Sequence, residues 1–203
     1  MAGARLCAVE SVGIAPATVE RWSDLVTVFG TRGDPSWCWC QFFLTTGDRY
    51  RDSAERNRAD LEAQVREAEV PPGLLAYRNG EPIGWLQLGP RTSYPRVTGQ
   101  AALAKMVGDR DAEKQVWRTT CFVVRVGHRR QGVAGALLTA GVMYAAEHGA
   151  GVLEGHPVDV SARPARPAGA VLYHGTLSMF THAGFVEIGR TAPTRPVMRR
   201  HVG

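Results

Sequence analysis

Long apolar segments are missing from this chain of 203 residues. No run approaches the roughly 20 apolar residues that span a bilayer, and the first residues, Met1–Leu6, lack the apolar centre of a signal peptide. We therefore expect a cytoplasmic location and no membrane partner. The four cysteines, at positions 7, 38, 40 and 121, lie on unlike segments, which predicts reduced thiols rather than a disulfide framework.

Two common phosphate-binding signatures are also missing. The chain has neither the G-x-G-x-x-G of a dinucleotide-binding fold nor the Gly-Lys-Ser/Thr of a Walker A loop. Acidic residues are outnumbered, 19 against 24 Lys and Arg, and the net charge of +5 favours an anionic partner. Basic residues do not alternate with aromatic ones in a stripe, so we expect a nucleotide-like cofactor and no nucleic acid.

A strand, a basic turn and a helix follow one another in the second half of the chain. The apolar, largely β-branched run that ends at Val126 predicts a buried strand. A turn with Arg129 and Arg130 then leads through Gly132 into a helix of small residues over 132–148. A helix N-terminus binds phosphate through its unsatisfied N–H groups and its dipole, so this junction is a candidate anion site.

The remaining patterns predict elements in the order βαα–ββ–β–α–β–α–ββ. Thr18 is expected to cap the first helix, and Asp52 with Glu55 to start the second. Asn79-Gly80 predicts a hairpin turn, which Pro82 is expected to make longer than two residues. This order predicts an α+β fold in layers, with a mixed sheet covered by helices. The predicted strands are 5–12, 74–77, 83–88, 117–126, 151–154, 185–188 and 197–201, and the predicted helices are 19–29, 52–68, 101–106, 132–148 and 169–183.

These features together resemble the GNAT superfamily of N-acetyltransferases. The family reads Arg/Gln-x-x-Gly-x-Gly/Ala where this chain has Arg129–Ala134, and its valine at the end of the central strand matches Val124. The family's helix ending in Gly-Phe matches Gly184-Phe185. The resemblance implies a GNAT-like central sheet of about six to seven strands with a splayed central pair.

The resemblance covers about residues 74–203. It implies one domain over residues 1–203, with the N-terminal strand and acceptor-side helices in 1–73 and an acetyl-CoA-binding core in 74–203. The implied activity is acetyl transfer from acetyl-CoA to a primary amine, on a small molecule or a protein lysine, by direct attack in a ternary complex. No metal is implied, and a homodimer is an open alternative to a monomer.

The family also implies where acetyl-CoA binds. The backbones of Val124 and Val126 would pair with the pantetheine arm like an extra strand, and the Val124 N–H would bind the acetyl oxygen. The diphosphate would lie on the N–H groups of residues 130–135, where small side chains let phosphate approach the backbone. Tight helix–sheet packing is the alternative role for those small residues. The implied cofactor set is Val124, Val126, Arg129, Arg130, Gln131, Gly132, Val133, Ala134, Gly135 and Ala136.

Glu154 is the first candidate for the general base. It ends the predicted strand next to the central one, where family members separate to admit substrate, and a carboxylate there can accept a proton from an ammonium. An ion pair with an arginine, or simple exposure at the strand end, is the alternative. His156, with an unperturbed pKa near 6.5, and Asp159 are rival bases on the following loop.

The general acid is where the chain departs from the family. Many members carry a tyrosine four residues before Gly-Phe, and this chain has Phe180 there. Tyr173, on the same predicted helix, is the first substitute, and Ser178 is another. A thiol with a pKa near 8.5 also leaves tolerably without an acid. Phe180 motivates the rival hypothesis of a catalytically weak acyl-CoA-binding sensor or assembly module.

Three further groups of residues have open roles. Cys121 could carry an acetyl group covalently or be a buried structural thiol, and Cys38 with Cys40 could bind metal only with help from Cys7 or histidines. The aromatic residues nearby, Trp37, Trp39, Phe42 and Phe43, could line the acceptor pocket or cover the sheet. A terminal strand with a solvated face, or else a subunit contact or a site for an acidic acceptor, is predicted for Arg195, Arg199, Arg200 and His201.

Overall fold

The computed structural model describes residues 12–107, 115–162 and 169–202. The helices of these residues are α1 (Trp22–Phe29), α2 (Asp34–Cys38), α3 (Ala54–Glu67), α4 (Pro95–Thr98), α5 (Ala101–Val107), α6 (Val133–Glu147) and α7 (Leu177–His182). The strands are β1 (Gly13–Pro16), β2 (Gly73–Arg78), β3 (Glu81–Pro90), β4 (Val116–Val124), β5 (Val152–Gly155), β6 (Val186–Ala192) and β7 (Arg195–His201).

The strands form a mixed sheet of seven, in the order β1-β2-β3-β4-β5-β7-β6. β4 and β5 run parallel, and the other neighbours run antiparallel. The pairing of β4 with β5 ends at Arg118 and Glu154, whereas β4 continues along β3 as far as Val124. The two central strands therefore separate beyond this point, which confirms the predicted fold class and its splayed strand pair.

The sheet buries apolar side chains on both faces. On one face α6 lies so close to β3 that a Cβ on Gly84 would be 2.9 Å from a methyl group of Val133. Glycine at position 84 therefore allows the helix to pack directly on the strand. On the other face Phe29 of α1 stacks on Trp39 at 4.7 Å between ring centroids, and the fully buried Trp85 of β3 lies beneath them.

Helix α3 holds the preceding connection in place through side-chain hydrogen bonds. Its N-cap is Ser53, whose hydroxyl accepts a hydrogen bond from the Arg56 N–H at 3.0 Å, so the cap expected from Asp52 with Glu55 was wrong by one residue. The buried Asn57 side chain donates to the carbonyl oxygens of Trp37, at 2.9 Å, and Tyr50, at 2.6 Å. These bonds hold α2 and the segment that follows it against α3.

The hairpin between β2 and β3 turns in two residues. Arg78 pairs directly with Glu81, and both Asn79 (φ 50°) and Gly80 (φ 78°) adopt left-handed conformations, which is the requirement of a type I′ turn. The longer turn expected from Pro82 was therefore wrong. The irregularity instead falls further along the hairpin, where the register shifts between Ala76 and Tyr77.

The predicted helix over 169–183 is two separate elements. A 3₁₀ helix, Gly169–His174, is followed by Gly175 at φ 76°, and α7 begins only at Leu177. The interruption has a partner, because the Val158 N–H donates to the Gly175 carbonyl and the Leu177 N–H donates to the Val158 carbonyl. We call Gly169–His174 the 3₁₀ segment; it packs along β4 rather than continuing α7.

The N-terminal region follows the prediction more loosely. The strand predicted over 5–12 falls almost wholly outside the described residues, and β1 forms at Gly13–Pro16. Thr18 precedes a 3₁₀ turn and makes no side-chain capping bond, whereas α1 ends before Gly30 as expected. Within the described ranges, no helix has both the length and the apolar character that crossing a membrane requires.

Candidate active site

The turn between β4 and α6 forms an anion-binding end. Arg130 (φ 61°) and Gly132 (φ 79°) both adopt left-handed conformations, which direct successive backbone N–H groups to one side. Hydrogen bonding inside α6 begins with the Ala136 N–H, which donates to the Gly132 carbonyl at 3.0 Å. The three N–H groups before it, at residues 133–135, therefore have no acceptor within the helix.

A cleft of about 750 Å³ opens beside these N–H groups. We call it the α6 cleft; it runs from the start of α6 along α7 and the 3₁₀ segment. A Cβ placed on Gly132 or Gly135 would meet nothing within 4 Å, so both glycines leave open space for a ligand. This cradle, with two arginines at its rim, fits the diphosphate of acetyl-CoA. The sequence-predicted residues in its wall are Val124, Arg129, Arg130, Gly132, Val133, Ala134, Gly135 and Tyr173.

Three residues of the implied cofactor set lie apart from the walls of the α6 cleft. The Val126 side chain is 82% exposed in the turn after β4. Gln131 braces the same turn, because its amide donates to the Gly127 carbonyl at 2.7 Å and accepts from Arg78. Ala136 contributes its N–H to the helix itself.

The end of β4 presents its free edge to the α6 cleft. The Arg125 N–H donates to Ile83 on β3 at 3.0 Å, and since successive N–H groups of a strand alternate in direction, the Val124 N–H points to the opposite edge, where β4 and β5 separate. The Val124 carbonyl on that edge accepts a hydrogen bond from the Arg129 Nε at 3.0 Å. The N–H and the carbonyl of Val124 therefore both lie on this open edge of β4.

A second cavity, of about 390 Å³, lies on the other side of Tyr173. We call it the aromatic cavity; its walls include Tyr50 and, of the aromatic residues with open roles, Trp37, Phe42 and Phe43. The fourth, Trp39, is buried against Phe29 and covers the sheet instead. Tyr173 lines both this cavity and the α6 cleft. Burial, followed by the nearby Asp34 carboxylate, raises the pKa of Tyr173 to about 12, so its phenol keeps its proton at neutral pH.

Three cysteines line the aromatic cavity as well. Burial raises the pKa of Cys38 to about 11 and also raises the pKa of Cys40, which shares a hydrogen bond with Cys121. Thiols held protonated are poor nucleophiles, which favours a packing role for Cys38 and Cys40. No cluster of three or more His, Cys, Asp or Glu in the described part of the chain could hold a metal ion.

A third cavity, of about 210 Å³, lies where β4 and β5 begin to separate. We call it the arginine cavity, because Arg118 of β4 and Arg195 of β7 both line it. His156 and His174 line it too. The pKa of His156 is lowered and the pKa of His174 is lowered to about 3, in both cases mainly by burial. Both imidazoles are therefore neutral at neutral pH.

Glu154 lies behind this cavity rather than in its wall. It is fully buried, and its carboxylate accepts from Arg118 at 3.2 Å, from the Arg199 Nε at 2.9 Å and from the His156 Nε2 at 3.3 Å. Burial opposes its ionisation, but the His156 hydrogen bond and the two arginines together lower its pKa. These contacts match the ion-pair alternative for Glu154 and reduce its capacity to accept a proton.

The other candidates lie in different surroundings. Asp159 is held by Ser161 at 2.6 Å and by Arg190 at 2.8 Å, and these hydrogen bonds lower the pKa of Asp159 to about 2. Ser178 lines the α6 cleft. Arg199 is 4% exposed, so the solvated face expected for the last strand was wrong at that position, because Arg199 pairs with Glu154 inside the sheet.

Two residues of the site had no role in the prediction. His174 bonds the backbone of Thr120 on β4 and lines both the arginine and the aromatic cavity. Arg118 lines the arginine cavity from within a strand. Two signals in the sequence could have indicated these residues. Gly175-Thr176 is a helix break followed by a cap, which separates Tyr173 and His174 from α7. An arginine inside an apolar strand, such as Arg118, requires a buried partner.

Phe180 is a core residue, whereas many family members carry a tyrosine that acts as the general acid at this position. Its ring is fully buried, edge-on to Phe122 at 6.2 Å and to Phe185 at 4.9 Å. It also fills the space beside Gly155, where an added Cβ would be 2.1 Å from the ring. Tyr173 is therefore not two turns before Phe180 on one helix, as predicted, but on the separate 3₁₀ segment.

Comparison with known proteins agrees with this geometry. The model of the acetyltransferase (GNAT) family matches residues 36–167, more than half of the chain. A search of curated proteins gives no significant match.

Similar folds occur among solved structures. The GNAT domain of S. lividans PAT is 18% identical, with a TM-score of 0.54 over 93% of this chain and 89% of that one. A polyamine N-acetyltransferase from Drosophila melanogaster is 11% identical, with a TM-score of 0.55 over 94% and 100%. The putative acetyltransferase yncA from Salmonella typhimurium, solved with its cofactor acetyl-CoA, is 14% identical, with a TM-score of 0.52 over 95% and 94%.

The family match spans β2 to β5 and the whole turn at the start of α6. It therefore includes the N–H cradle, the glycines with open space beside them and the splayed strands. The chain belongs to the GNAT acetyltransferase family and is an acetyl-CoA-dependent acyltransferase.

Proposed function

We propose that this acyltransferase moves the acetyl group of acetyl-CoA to a primary amine by direct attack in a ternary complex. The observation that carries the proposal is the position of Tyr173, whose side chain lines both the α6 cleft and the aromatic cavity. A cofactor in the first and an amine in the second would meet at this residue. The relatives that form N-acetylagmatine or acetylate polyamines support an amine as acceptor.

Acetyl-CoA supplies the thioester carbonyl and the thiolate leaving group. The amine nitrogen bonds to the acetyl carbon, the carbon–sulfur bond breaks, the nitrogen gives up one proton, and the thiolate receives one. The Val124 N–H, on the free edge of β4, is the proposed donor to the acetyl oxygen, where negative charge grows during attack. A backbone donor of this kind is fixed by the strand before substrate arrives.

His156 is the proposed acceptor of the proton from nitrogen, because it lines the arginine cavity, which shares Phe42, Phe43 and His174 with the aromatic cavity. Because Glu154 is ionised, the His156 Nε2 that contacts it carries a hydrogen and donates. The other ring nitrogen, Nδ1, then keeps its lone pair, and the ring lines the arginine cavity. Glu154 acts in this proposal as a positioning residue that fixes the tautomer and the orientation of His156, and it does not touch the substrate itself.

Tyr173 is the proposed proton donor to the thiolate. Its pKa of about 12 keeps the phenol protonated over the pH range in which an amine is a nucleophile. A positioned general acid contributes roughly 10²–10⁴-fold to a rate. Ser178 also lines the α6 cleft, but of these two residues only Tyr173 lines the aromatic cavity as well.

Thiol release with a panel of primary amines, together with thermal shift by acetyl-CoA, tests the proposal. We expect stabilisation by acetyl-CoA and turnover with at least one amine. Stabilisation without turnover across small amines and lysine peptides would favour the sensor module instead.

Tyr173→Phe tests the acid. We expect kcat to fall by about 10²-fold or more while the dissociation constant for acetyl-CoA changes little. Tyr77→Phe is the matched control, because it removes a phenol hydroxyl that bonds Asp24 at 2.7 Å, away from the three cavities. Equal kcat values in the two variants would exclude Tyr173 as the donor.

His156→Gln and His174→Gln together test the base. Both residues line the arginine cavity, but only His156 contacts the Glu154 carboxylate in this proposal. We expect His156→Gln to lose the larger share of kcat and to flatten the acidic limb of the kcat–pH profile. A larger effect in His174→Gln would transfer the role to that residue.

A further inference from the structure

We propose that the amine acceptor is a small aliphatic diamine, and that Asp34 and Trp37 at the mouth of the aromatic cavity bind its second, cationic amino group. The inference rests on the proposed function, because it names the class of amine that the same site accepts. It is carried by the charge in the wall of the aromatic cavity and by the chemistry of its rings.

The mouth of the aromatic cavity carries a negative charge. Asp34, the first residue of α2, is exposed to solvent and lines the cavity. Among the described residues of the wall it is the one acidic residue, and none of them is Lys or Arg. No described residue forms an ion pair with Asp34. Its carboxylate is therefore open to a cationic ligand, which it can bind by a charge-assisted hydrogen bond.

Trp37 lies next to this carboxylate. Asp34 and Trp37 are three residues apart on α2, a spacing that places two side chains on the same side of a helix. The indole also lines the cavity and is 48% exposed. The face of an indole attracts a cation more strongly than the other aromatic rings do. A carboxylate and an indole at one cavity mouth together form a binding site for an ammonium group.

Arg96 limits where the cation of the ligand can lie. Its guanidinium is 4.4 Å from the centroid of the Phe42 ring and 5.4 Å from that of the Tyr50 ring. It donates to backbone carbonyl oxygens and is not part of the cavity wall. A second cation beside Phe42 or Tyr50 would be repelled by it. The favourable position is therefore at Asp34 and Trp37.

The side of the cavity that adjoins the arginine cavity has the opposite preference. His174 lies there, and burial is the main cause that lowers its pKa to about 3. A positive charge is thus unfavourable on this side. The amino group that attacks the thioester must be neutral, so it fits this side, beside Tyr173 and His174. A diamine with its charged end at Asp34 brings its neutral end to the thioester.

The cavity suits an aliphatic chain between the two amino groups. Its volume of about 390 Å³ lies near the lower end of the range for small-ligand sites, about 300–1,000 Å³. Val123 and the protonated thiols of Cys38 and Cys40 line it together with the aromatic rings. Such walls bury methylene groups favourably.

Matched amines test the inference. Thiol release is measured with 1,4-diaminobutane and 1,5-diaminopentane, with pentylamine and hexylamine, which have the same chain lengths without the second cation, and with 4-amino-1-butanol and 5-amino-1-pentanol, which carry a neutral hydroxyl in its place. We expect kcat/KM for each diamine, after allowance for its two equivalent ends, to exceed that for its partners by about tenfold or more, which corresponds to 1.4 kcal/mol or more. Equal values with and without the second cation would overturn the inference and leave the proposed amine acetyl transfer intact.

A binding measurement separates the two proposals. In the presence of CoA, the diamines are expected to raise the unfolding temperature more than the amino alcohols do. This result without turnover of any amine would support the cation site and contradict the proposed function. Equal stabilisation by diamines and amino alcohols, together with equal turnover, would overturn the inference.

Asp34→Asn is the diagnostic variant, because it removes the charge and keeps the size of an exposed side chain. We expect it to lose most of the preference for diamine over amino alcohol while the dissociation constant for acetyl-CoA is kept. Asp48→Asn is the matched control, because Asp48 is also exposed but lies outside the cavity wall; it should keep the preference. Loss of the preference in both variants alike would contradict the role of Asp34.

Trp37→Leu tests the ring. It keeps an apolar side chain at a half-exposed position but removes the aromatic face. We expect kcat/KM for 1,5-diaminopentane to fall by a larger factor than kcat/KM for hexylamine, because only the diamine has a cation to place on the indole. Equal factors would contradict the contact proposed for Trp37.

Discussion

Neutralising Glu154 is expected to destabilise the protein strongly. Glu154→Gln keeps the size of the side chain but replaces a carboxylate that is fully buried and contacts two guanidinium groups. The new amide nitrogen is a donor and would face groups that are themselves donors. Arg118 and Arg199, which are 2% and 4% exposed, would then lose the negative charge that compensates their burial.

The contacts set the size of the effect. Removing one partner of a buried ion pair costs about 3–5 kcal/mol, because it leaves an uncompensated buried charge. For a chain of this length each kcal/mol lowers the unfolding temperature by about 2–4 °C. We therefore expect the unfolding temperature of Glu154→Gln to fall by about 6–20 °C at pH 7.

The difference should also depend on pH. The folded-state pKa of Glu154 lies below the ordinary value of 4.5. Its ionised form therefore stabilises the fold fully above pH 4.5, and this contribution is lost as the pH falls through the lowered pKa. The gap in stability between the native protein and Glu154→Gln should be constant from pH 8 to pH 6 and should close below pH 4.5.

Differential scanning calorimetry over this pH range measures the effect. Glu62→Gln is the control, because Glu62 pairs with Arg66 at 2.7 Å on the exposed face of α3, and such a pair is worth about 0.3–0.5 kcal/mol. If the two variants unfold within about 2 °C of each other, or if the gap persists unchanged at pH 3.5, the account of Glu154 as a buried ion-pair centre is wrong.

Three further changes have defined outcomes. Phe180→Tyr should lower stability by about 1–3 kcal/mol through overpacking against Gly155 and should not raise kcat; a faster enzyme would show that the family's acid position is reachable. Gly135→Val should raise the dissociation constant for acetyl-CoA about tenfold or more in calorimetric titration, whereas Met143→Val, on the exposed face of the same helix, should not; equal affinities would exclude phosphate from the open space at position 135. His174→Gln should reduce the loss of stability on acidification. The folded-state pKa of His174 is about 3, so below pH 6.5 the imidazole binds a proton on unfolding, which lowers the free energy of unfolding by up to about 1.4 kcal/mol per pH unit. If this is wrong, urea unfolding at pH 7 and pH 5 will show the same pH dependence of the free energy of unfolding in the variant and the native protein.

The cofactor end of the site was predictable because short-range rules determine it. Gly132 adopts a left-handed conformation that favours glycine, and small residues follow it where a helix begins, so a local motif was sufficient. The same holds for Asn79-Gly80, whose turn type depends on two adjacent residues. The length of that turn was mispredicted because the irregularity which Pro82 suggested falls elsewhere in the hairpin.

The acceptor end was not predictable in the same way. Glu154, Arg118 and Arg199 lie on three different strands, and their pairing depends on a strand order that places β7 beside β5. The role proposed for His156 depends in turn on that cluster. Tyr173 lines the α6 cleft, but the element predicted for it was wrong, because the bond between Val158 and Gly175 that interrupts the helix is a long-range one.

The 3₁₀ segment links the choice of acyl donor to the choice of acceptor. Its six residues end in Tyr173, which faces the α6 cleft and the aromatic cavity, and His174, which faces the aromatic and the arginine cavities. A substitution that enlarges the space for a longer acyl chain therefore also reshapes the proposed amine site. We expect the preferences for acyl donor and for acceptor to change together in natural and engineered variants of this enzyme. A variant in which only one of the two preferences changes will need compensating changes on β4 or α2.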